Sequence, residues 1–366
     1  MSVGIPLAER GWIPDSLLRV GIRRLLARRL DELRTQAGQD PAAFEGLFAA
    51  ALAQHEVAER TDAANAQHYE VPTAFFQTML GPNLKYSSAY YPDPDTGLAD
   101  AEEAMLKLTA EHAELRDNLD ILELGCGWGS LTLWMADHYP KARITAVTNS
   151  ATQAEYVSGQ ARSRGLRGVH VLHANVNTFL SDQHYDRIVS VEMFEHMRNY
   201  ERLFQRLGQW LKPGGKLFVH VFSHARFPYL FEDHADDDWM ARHFFTGGTM
   251  PSHGLLPRYA GTAMALEQAW RLDGRHYART LEHWLHNLDV NRARALHILA
   301  PAYGGRREAR LWLQRWRMFL MACSELFGYA EGEEWGVSHY RFTRRDTADV
   351  AQAVGQNRDA RDARPR

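Results

Sequence analysis

The stretch Ile121-Leu122-Glu123-Leu124-Gly125-Cys126-Gly127-Trp128-Gly129 constrains this chain more than any other. A short apolar run broken by one acid and closed by glycines reads as a buried strand. The Gly-x-Gly-x-Gly turn after it lets a backbone lie close to a nucleotide. Ser130-Leu131-Thr132-Leu133-Trp134-Met135-Ala136 then has helix-forming character. Strand, glycine loop and helix in that order open a Rossmann-like α/β sheet with a cofactor at the strand end.

The spacing of the glycines selects among cofactors. A dinucleotide fingerprint is Gly-x-Gly-x-x-Gly, with an acid about 20 residues on. Here Ser130 stands where the third dinucleotide glycine belongs. The second strand, Arg143-Ile144-Thr145-Ala146-Val147-Thr148, runs into Asn149-Ser150 and carries no acid. No Walker Lys-Ser/Thr pair follows the loop, so pyrophosphate is not implied. With Glu123 before it, the loop resembles motif I of class I methyltransferases, which bind S-adenosylmethionine (SAM). A tight glycine turn without a ligand is the plainer alternative.

Composition narrows the class further. Apolar residues make up 45% and charged residues 24%, which fits a globular protein. A net charge of −3 gives no drive toward nucleic acid. Two cysteines, Cys126 and Cys323, suit a reducing compartment rather than a disulfide framework. No apolar run reaches transmembrane length, and no secretory signal pattern is read at the start. A cytoplasmic protein is the resulting expectation.

Leu17, Leu18, Ile22, Leu25, Leu26, Leu30 and Leu33 recur at helical spacing over 15–34, with arginines on the other faces. Such a helix packs on its own domain or on a second copy in a homodimer, and that is the favoured expectation. Peripheral contact with an anionic membrane is the alternative. Gly38-Gln39-Asp40-Pro41 breaks the pattern, and a second helix is expected from Ala42 to about Ala64. An irregular aromatic segment over 68–98 suits a cover for the cofactor. A helix from Asp100 to about Arg116 leads into the first strand.

Strands and helices alternate from 120 to 225, the pattern of a parallel sheet. The later strands are Val169–Leu172, Tyr185–Val191 and Lys216–Phe222, the last after the breaker Lys212-Pro213-Gly214-Gly215. The alternation lapses over 226–308, which reads as a mostly helical insertion and the natural substrate lid. A helix from about Arg307 to Phe327 and a strand Ser338–Thr343 complete the core. The expected division is 1–67 N-terminal helices, 68–225 cofactor-binding core, 226–308 lid, 309–355 core completion and a disordered tail over 356–366.

The chemistry is expected at the carboxyl end of the fourth strand, in Glu192-Met193-Phe194-Glu195-His196. A helical turn there gathers two carboxylates and an imidazole through i,i+3 and i,i+4 spacing. An alkyl ammonium has a pKa of about 10, like lysine, and must lose a proton before its lone pair can attack. Carboxylates attract that cation, and a carboxylate or imidazole can take its proton. A helix cap or a buried structural network are the alternatives, and no metal is expected. The acidic run from Glu232 to Asp238 reads first as a solvated face and second as a lure for a cationic substrate.

Three segments carry a wider likeness. Glu123 through Gly129, Ala146 through Ser150 with Gln153, and Phe194-Glu195-His196 resemble the cyclopropane fatty acid synthase superfamily of SAM-dependent methyltransferases. Leu84-Lys85-Tyr86-Ser87-Ser88, Glu192 through Met197, Asp237-Asp238-Trp239 and Phe244 through Ser252 are similar to its coclaurine N-methyltransferase branch. The resemblance implies a doubly wound, mostly parallel class I methyltransferase sheet. It implies SAM as donor and S-adenosylhomocysteine as product. It assigns Tyr86 and Ser87 to the methionine end of SAM, and Glu123, Gly125 and Gly127 to methionine and ribose. Thr148, Asn149 and Gln153 take the place of a ribose-binding acid, and Val176 and Asn177 flank the adenine. Glu192, Glu195 and His196 orient and deprotonate an amine, with Tyr69, Phe222, His220 and Tyr277 on the substrate side. Cyclopropane synthases carry a cysteine where this chain has Ser88, beside a bicarbonate site, and lack the acid at Glu192. An extra buried carboxylate helps an ammonium and not an uncharged alkene. The expected partner is a small arylalkyl or tetrahydroisoquinoline-like amine, and the alternative is a lipid at a membrane surface.

Overall fold

The computed structural model describes residues 4–59, 71–231, 239–261 and 263–345. The strands are β1 (Asp120–Leu124), β2 (Arg143–Thr148), β3 (Val169–His173), β4 (Tyr185–Val191), β5 (Leu211–His224), β6 (Tyr229–Leu230), β7 (Thr249–Met250), β8 (Met264–Leu272) and β9 (Trp335–Arg344). Seven of them form one sheet in the order β3-β2-β1-β4-β5-β9-β8, and β6 pairs with β7. From β3 to β5 neighbours run parallel, while β9 is antiparallel to both β5 and β8. Strand order reverses between β1 and β4, so the loops after them diverge and leave a crevice at their carboxyl ends. Ile121, Leu122 and Leu124 are at most 1% exposed, which explains the nearly unbroken apolar run of a central parallel strand.

The helix Asp15–Ala37 lies on the helix Arg306–Gly328, burying Leu30 and Leu33. Arg19 reaches Glu282 at 2.7 Å and Glu325 at 3.1 Å, and Arg23 reaches Glu325 at 2.7 Å. Arg317 returns the contact to Asp15 at 2.6 Å. The basic helix is thus packed within its own chain, with several arginines paired across elements. The next helix, Pro41–Leu52, starts on Asp40, whose carboxylate accepts from the Ala43 amide. It stops well before Ala64. Asn199 Nδ2 donates to the carbonyls of Ala53 and His55, and the Asn177 side chain exchanges two bonds with the Ala58 backbone, all four at 2.9 Å. Those bonds hold the chain in a form a helix cannot supply. The end of the expected helix, the start of the aromatic segment with Tyr69, the run Glu232 to Asp238 and the 356–366 tail lie outside the described residues.

The expected insertion is not wholly helical. Met264–Leu272 is an edge strand against β9, although Ala265-Leu266-Glu267-Gln268-Ala269 is made of good helix formers. Pairing with the open edge of β9 overrides that preference, as strand formation depends on neighbours. The following helices, Gly274–Val290 and Arg292–Ala302, join Arg306–Gly328 above the sheet. No described helix is long and apolar enough to cross a membrane.

Gly274 sits at the joint between β8 and the helix it begins. A Cβ there would fall inside the contact shells of the Trp335 and Phe327 carbonyl oxygens. Gly274→Ala is expected to destabilise the fold by about 1–3 kcal/mol through overpacking. A denaturant midpoint equal to that of the parent chain would refute this.

Candidate active site

The glycine loop is built by backbone conformation. Gly125, Gly127 and Gly129 have φ of +81°, +52° and +79°, a region that side chains with a Cβ avoid. Gly125 N and Cys126 N both donate to Val147 O, tying the loop to the end of β2. Above Gly127 no heavy atom lies within 4 Å of where a Cβ would stand. That bare backbone floors a cavity of about 140 Å³ at the strand switch.

Tyr86, Ser87, Glu123, Gly125 and Gly127 line this cavity, as do Thr148, Asn149, Gln153 and Val176. Asn177 does not. Its amide is spent on Ala58, so it anchors the N-terminal segment instead of facing the cavity. Glu123 accepts from Thr132 Oγ1 at 2.5 Å, and burial pushes its carboxyl up to about 8. Thr148 Oγ1 donates to Gln153 Oε1 at 2.7 Å, while the buried Gln153 Nε2 has no protein partner. Open backbone, a spare amide donor and hydroxyls fit the polar nucleoside and amino-acid ends of SAM.

A second cavity of about 690 Å³ adjoins the first, mostly apolar, with Phe222, Phe245, Trp284 and Phe327 among its walls. The N-terminal helix supplies another wall through Leu18, Ile22 and Leu25. Tyr86, Glu192 and His196 line both cavities, so the two meet at these side chains.

Glu192 follows β4 with φ +47°, a strained conformation for a glutamate. Its amide donates to His220 O, as the β4–β5 register dictates. Its Oε1 accepts from Ser88 N at 3.0 Å and lies 3.2 Å from His220 Nε2, and its Oε2 accepts from Tyr277 OH at 2.5 Å. Burial raises the Glu192 carboxyl to about 6, with nearby Lys85 opposing the rise. Lys85 is itself buried and falls to about 8, its ammonium donating to Ser87 Oγ and Ser88 O. The turn Phe194–His196 is a 3₁₀ helix. It brings Glu195 into the second cavity, 1% exposed, with Oε2 lacking a protein partner. Burial and then the Glu192 charge push the Glu195 carboxyl well above the usual range. The His196 ring lies 4.9 Å from that of Phe245.

The expected catalytic trio therefore shares one place. On the substrate side, Phe222 and Tyr277 face the larger cavity, whereas His220 is fully buried behind Glu192. Ser88, His220 and Tyr277 all contact the Glu192 carboxylate. Lys85 went unassigned in the sequence. Its signal was a lysine lodged in the aromatic stretch beside Tyr86, where a solvated charge has no reason to be.

The family model for mycolic acid cyclopropane synthetase matches residues 57–333. The chain belongs to that family. The (S)-coclaurine N-methyltransferase of Thalictrum flavum subsp. glaucum is 38% identical over 344 residues, 92% of this chain and 94% of that protein. A solved coclaurine N-methyltransferase bound to N-methylheliamine and S-adenosylhomocysteine superposes with a TM-score of 0.89 at 36% identity, covering 92% of this chain and 97% of the other. The cyclopropane-fatty-acyl-phospholipid synthase of Escherichia coli (strain K12) is 34% identical over 220 residues, 60% of this chain and 54% of that protein. This protein is a SAM-dependent methyltransferase with the class I fold.

Gly127→Val would set a branched side chain into the open space over the loop, at a φ that valine resists. SAM binding measured by titration calorimetry is expected to disappear while circular dichroism stays that of the parent. Retained SAM affinity would remove this loop as the cofactor floor.

Proposed function

We propose that this enzyme methylates the nitrogen of a small arylalkyl or tetrahydroisoquinoline-like amine. The observation that carries the proposal is the pair of buried carboxyls, Glu192 where the two cavities meet and Glu195 beside it in the larger one. Two carboxyls this deeply buried ionise together only when positive charge balances both. Lys85 supplies one such charge, and a substrate ammonium completes the site. Similarity to N-methyltransferases over 92% of the chain supports the same reading.

SAM, when bound, supplies an electrophilic methyl group on sulfonium. The chain does the rest. Glu192 holds the ammonium by charge, its carboxylate fixed by Ser88, His220 and Tyr277. Glu195 and His196 take the proton that frees the lone pair. Burial strengthens Glu195 as a base, because a carboxylate cut off from water binds a proton more tightly. The rings of Phe222, Phe245 and Trp284 bury the aromatic body of the substrate and can stack on a cation.

Glu195→Gln is expected to lower kcat by about 10²–10⁴-fold, the usual contribution of a general base, with SAM affinity unchanged. An unaltered kcat would dismiss Glu195 as the base. The parent enzyme is expected to gain kcat/KM for the amine as pH rises through about 6, where Glu192 ionises and begins to hold the cation. A flat profile between pH 5 and 7 would count against Glu192. The reaction itself is tested with methyl-labelled SAM offered to tetrahydroisoquinolines and, separately, to unsaturated phospholipid vesicles. Label on nitrogen is the expected result. Label on acyl chains would replace this reading with lipid modification.

A further inference from the structure

Behind Glu192 runs a file of three histidines, of which the chemistry above uses only His220. His220 Nε2 lies 3.2 Å from Glu192 Oε1, His220 Nδ1 lies 2.8 Å from His339 Nε2, and His339 Nδ1 lies 2.9 Å from His112 Nδ1. The sheet register sets His220 opposite His339 across β5 and β9, and His112 ends the helix Leu98–His112. His220 and His339 are fully buried, and His112 is half-buried, stacked on Trp270 with centroids 3.9 Å apart. Burial lowers all three, with Arg341 adding to the effect at His112, which falls to about 4. The file is therefore neutral at ordinary pH.

A neutral imidazole has one donor and one acceptor nitrogen, so each contact in the file fixes the next. Ionised Glu192 can only accept. It requires a proton on His220 Nε2, hence one on His339 Nε2 and one on His112 Nδ1. The opposite arrangement leaves His220 Nε2 bare and requires a protonated Glu192. The other groups facing Glu192 are Lys85, Tyr277, Glu195 and Cys323. Of these, Lys85 also acts through its charge on His220 and His339.

We propose that His339 and His112 are positioning residues that hold His220 in the tautomer with Nε2–H directed at Glu192, keeping Glu192 ionised to receive the ammonium. This rests on the role of Glu192 given above. The first test is ¹⁵N NMR of histidine-labelled enzyme at about pH 8, where neutral imidazoles report their tautomer. Protons on His220 Nε2, His339 Nε2 and His112 Nδ1 are expected. A proton on His220 Nδ1 overturns the proposal.

The second test is the pH profile of kcat/KM with tetrahydroisoquinoline. His339→Phe, which removes the donor to His220, is expected to move the acid limb upward by about one pH unit. It should raise the amine KM while SAM affinity holds. His339→Gln, which restores an N–H at that place, should return the limb. A folded His339→Phe with an unmoved limb overturns the proposal. If that variant does not fold, His112→Phe at the half-buried end carries the same expectation and the same overturning result. Glu192→Gln separates the two levels. An unchanged profile there sinks the assignment of Glu192, whereas its loss beside an unmoved His339→Phe limb sinks the histidine file alone.

Discussion

The structure depends on keeping the Glu192 carboxylate out of water. An isolated buried carboxylate costs several kcal/mol even after relaxation, and the cost is offset only when its lone pairs are satisfied. Its partners come from distant parts of the chain: the Ser88 amide, His220 on β5, and Tyr277 on the helix Gly274–Val290. Lys85 adds a positive charge that is buried with it. Three separate segments, residues 85–88, β5 and the helix Gly274–Val290, therefore have to arrive at the end of β4 before the charge is tolerated. That requirement ties the cofactor loop, the sheet and the helical layer into one arrangement.

The same point divides the interior by chemistry. On one side lie bare glycine backbone, hydroxyls and amides, suited to a polar cofactor. On the other lies a larger apolar chamber of aromatic rings, closed in part by the N-terminal helix. Tyr86, Glu192 and His196 stand on the boundary and face both. A donor from one side and an acceptor from the other meet only there, which is the placement that methyl transfer needs. The N-terminal helix, basic along its exposed faces, serves this geometry as a wall and is held by ion pairs to the helices behind it.

Much of the sheet was legible because its signals are local. β2 and β4 fall on the expected residues, since short apolar runs between turns leave little choice of register. β8 was not legible. Met264–Leu272 carries helix formers, and the edge of β9 that recruits it lies about 70 residues away in sequence. Helix ends were misjudged where a distant side chain intervenes, as Asn199 and Asn177 do after Leu52. In the site, the nearness of Glu192, Glu195 and His196 was legible from their spacing. The burial of His220 behind Glu192, and the diversion of Asn177 to the Ala58 backbone, were not. Strand partners and loop contacts decide where a side chain ends, and those are set at long range.

By itself, the sequence determined the glycine turn, the parallel core and the presence of two acids beside one imidazole at a strand end. Each of these follows from backbone sterics or from residue periodicity within a few positions. The tertiary structure alone decided the charges on those acids, because ionisation depends on desolvation and on neighbours brought from elsewhere in the chain. It also decided that His220, His339 and His112 stand in line. Their positions in sequence carry no hint of contact, and only the pairing of β5 with β9 against the end of one helix makes them neighbours.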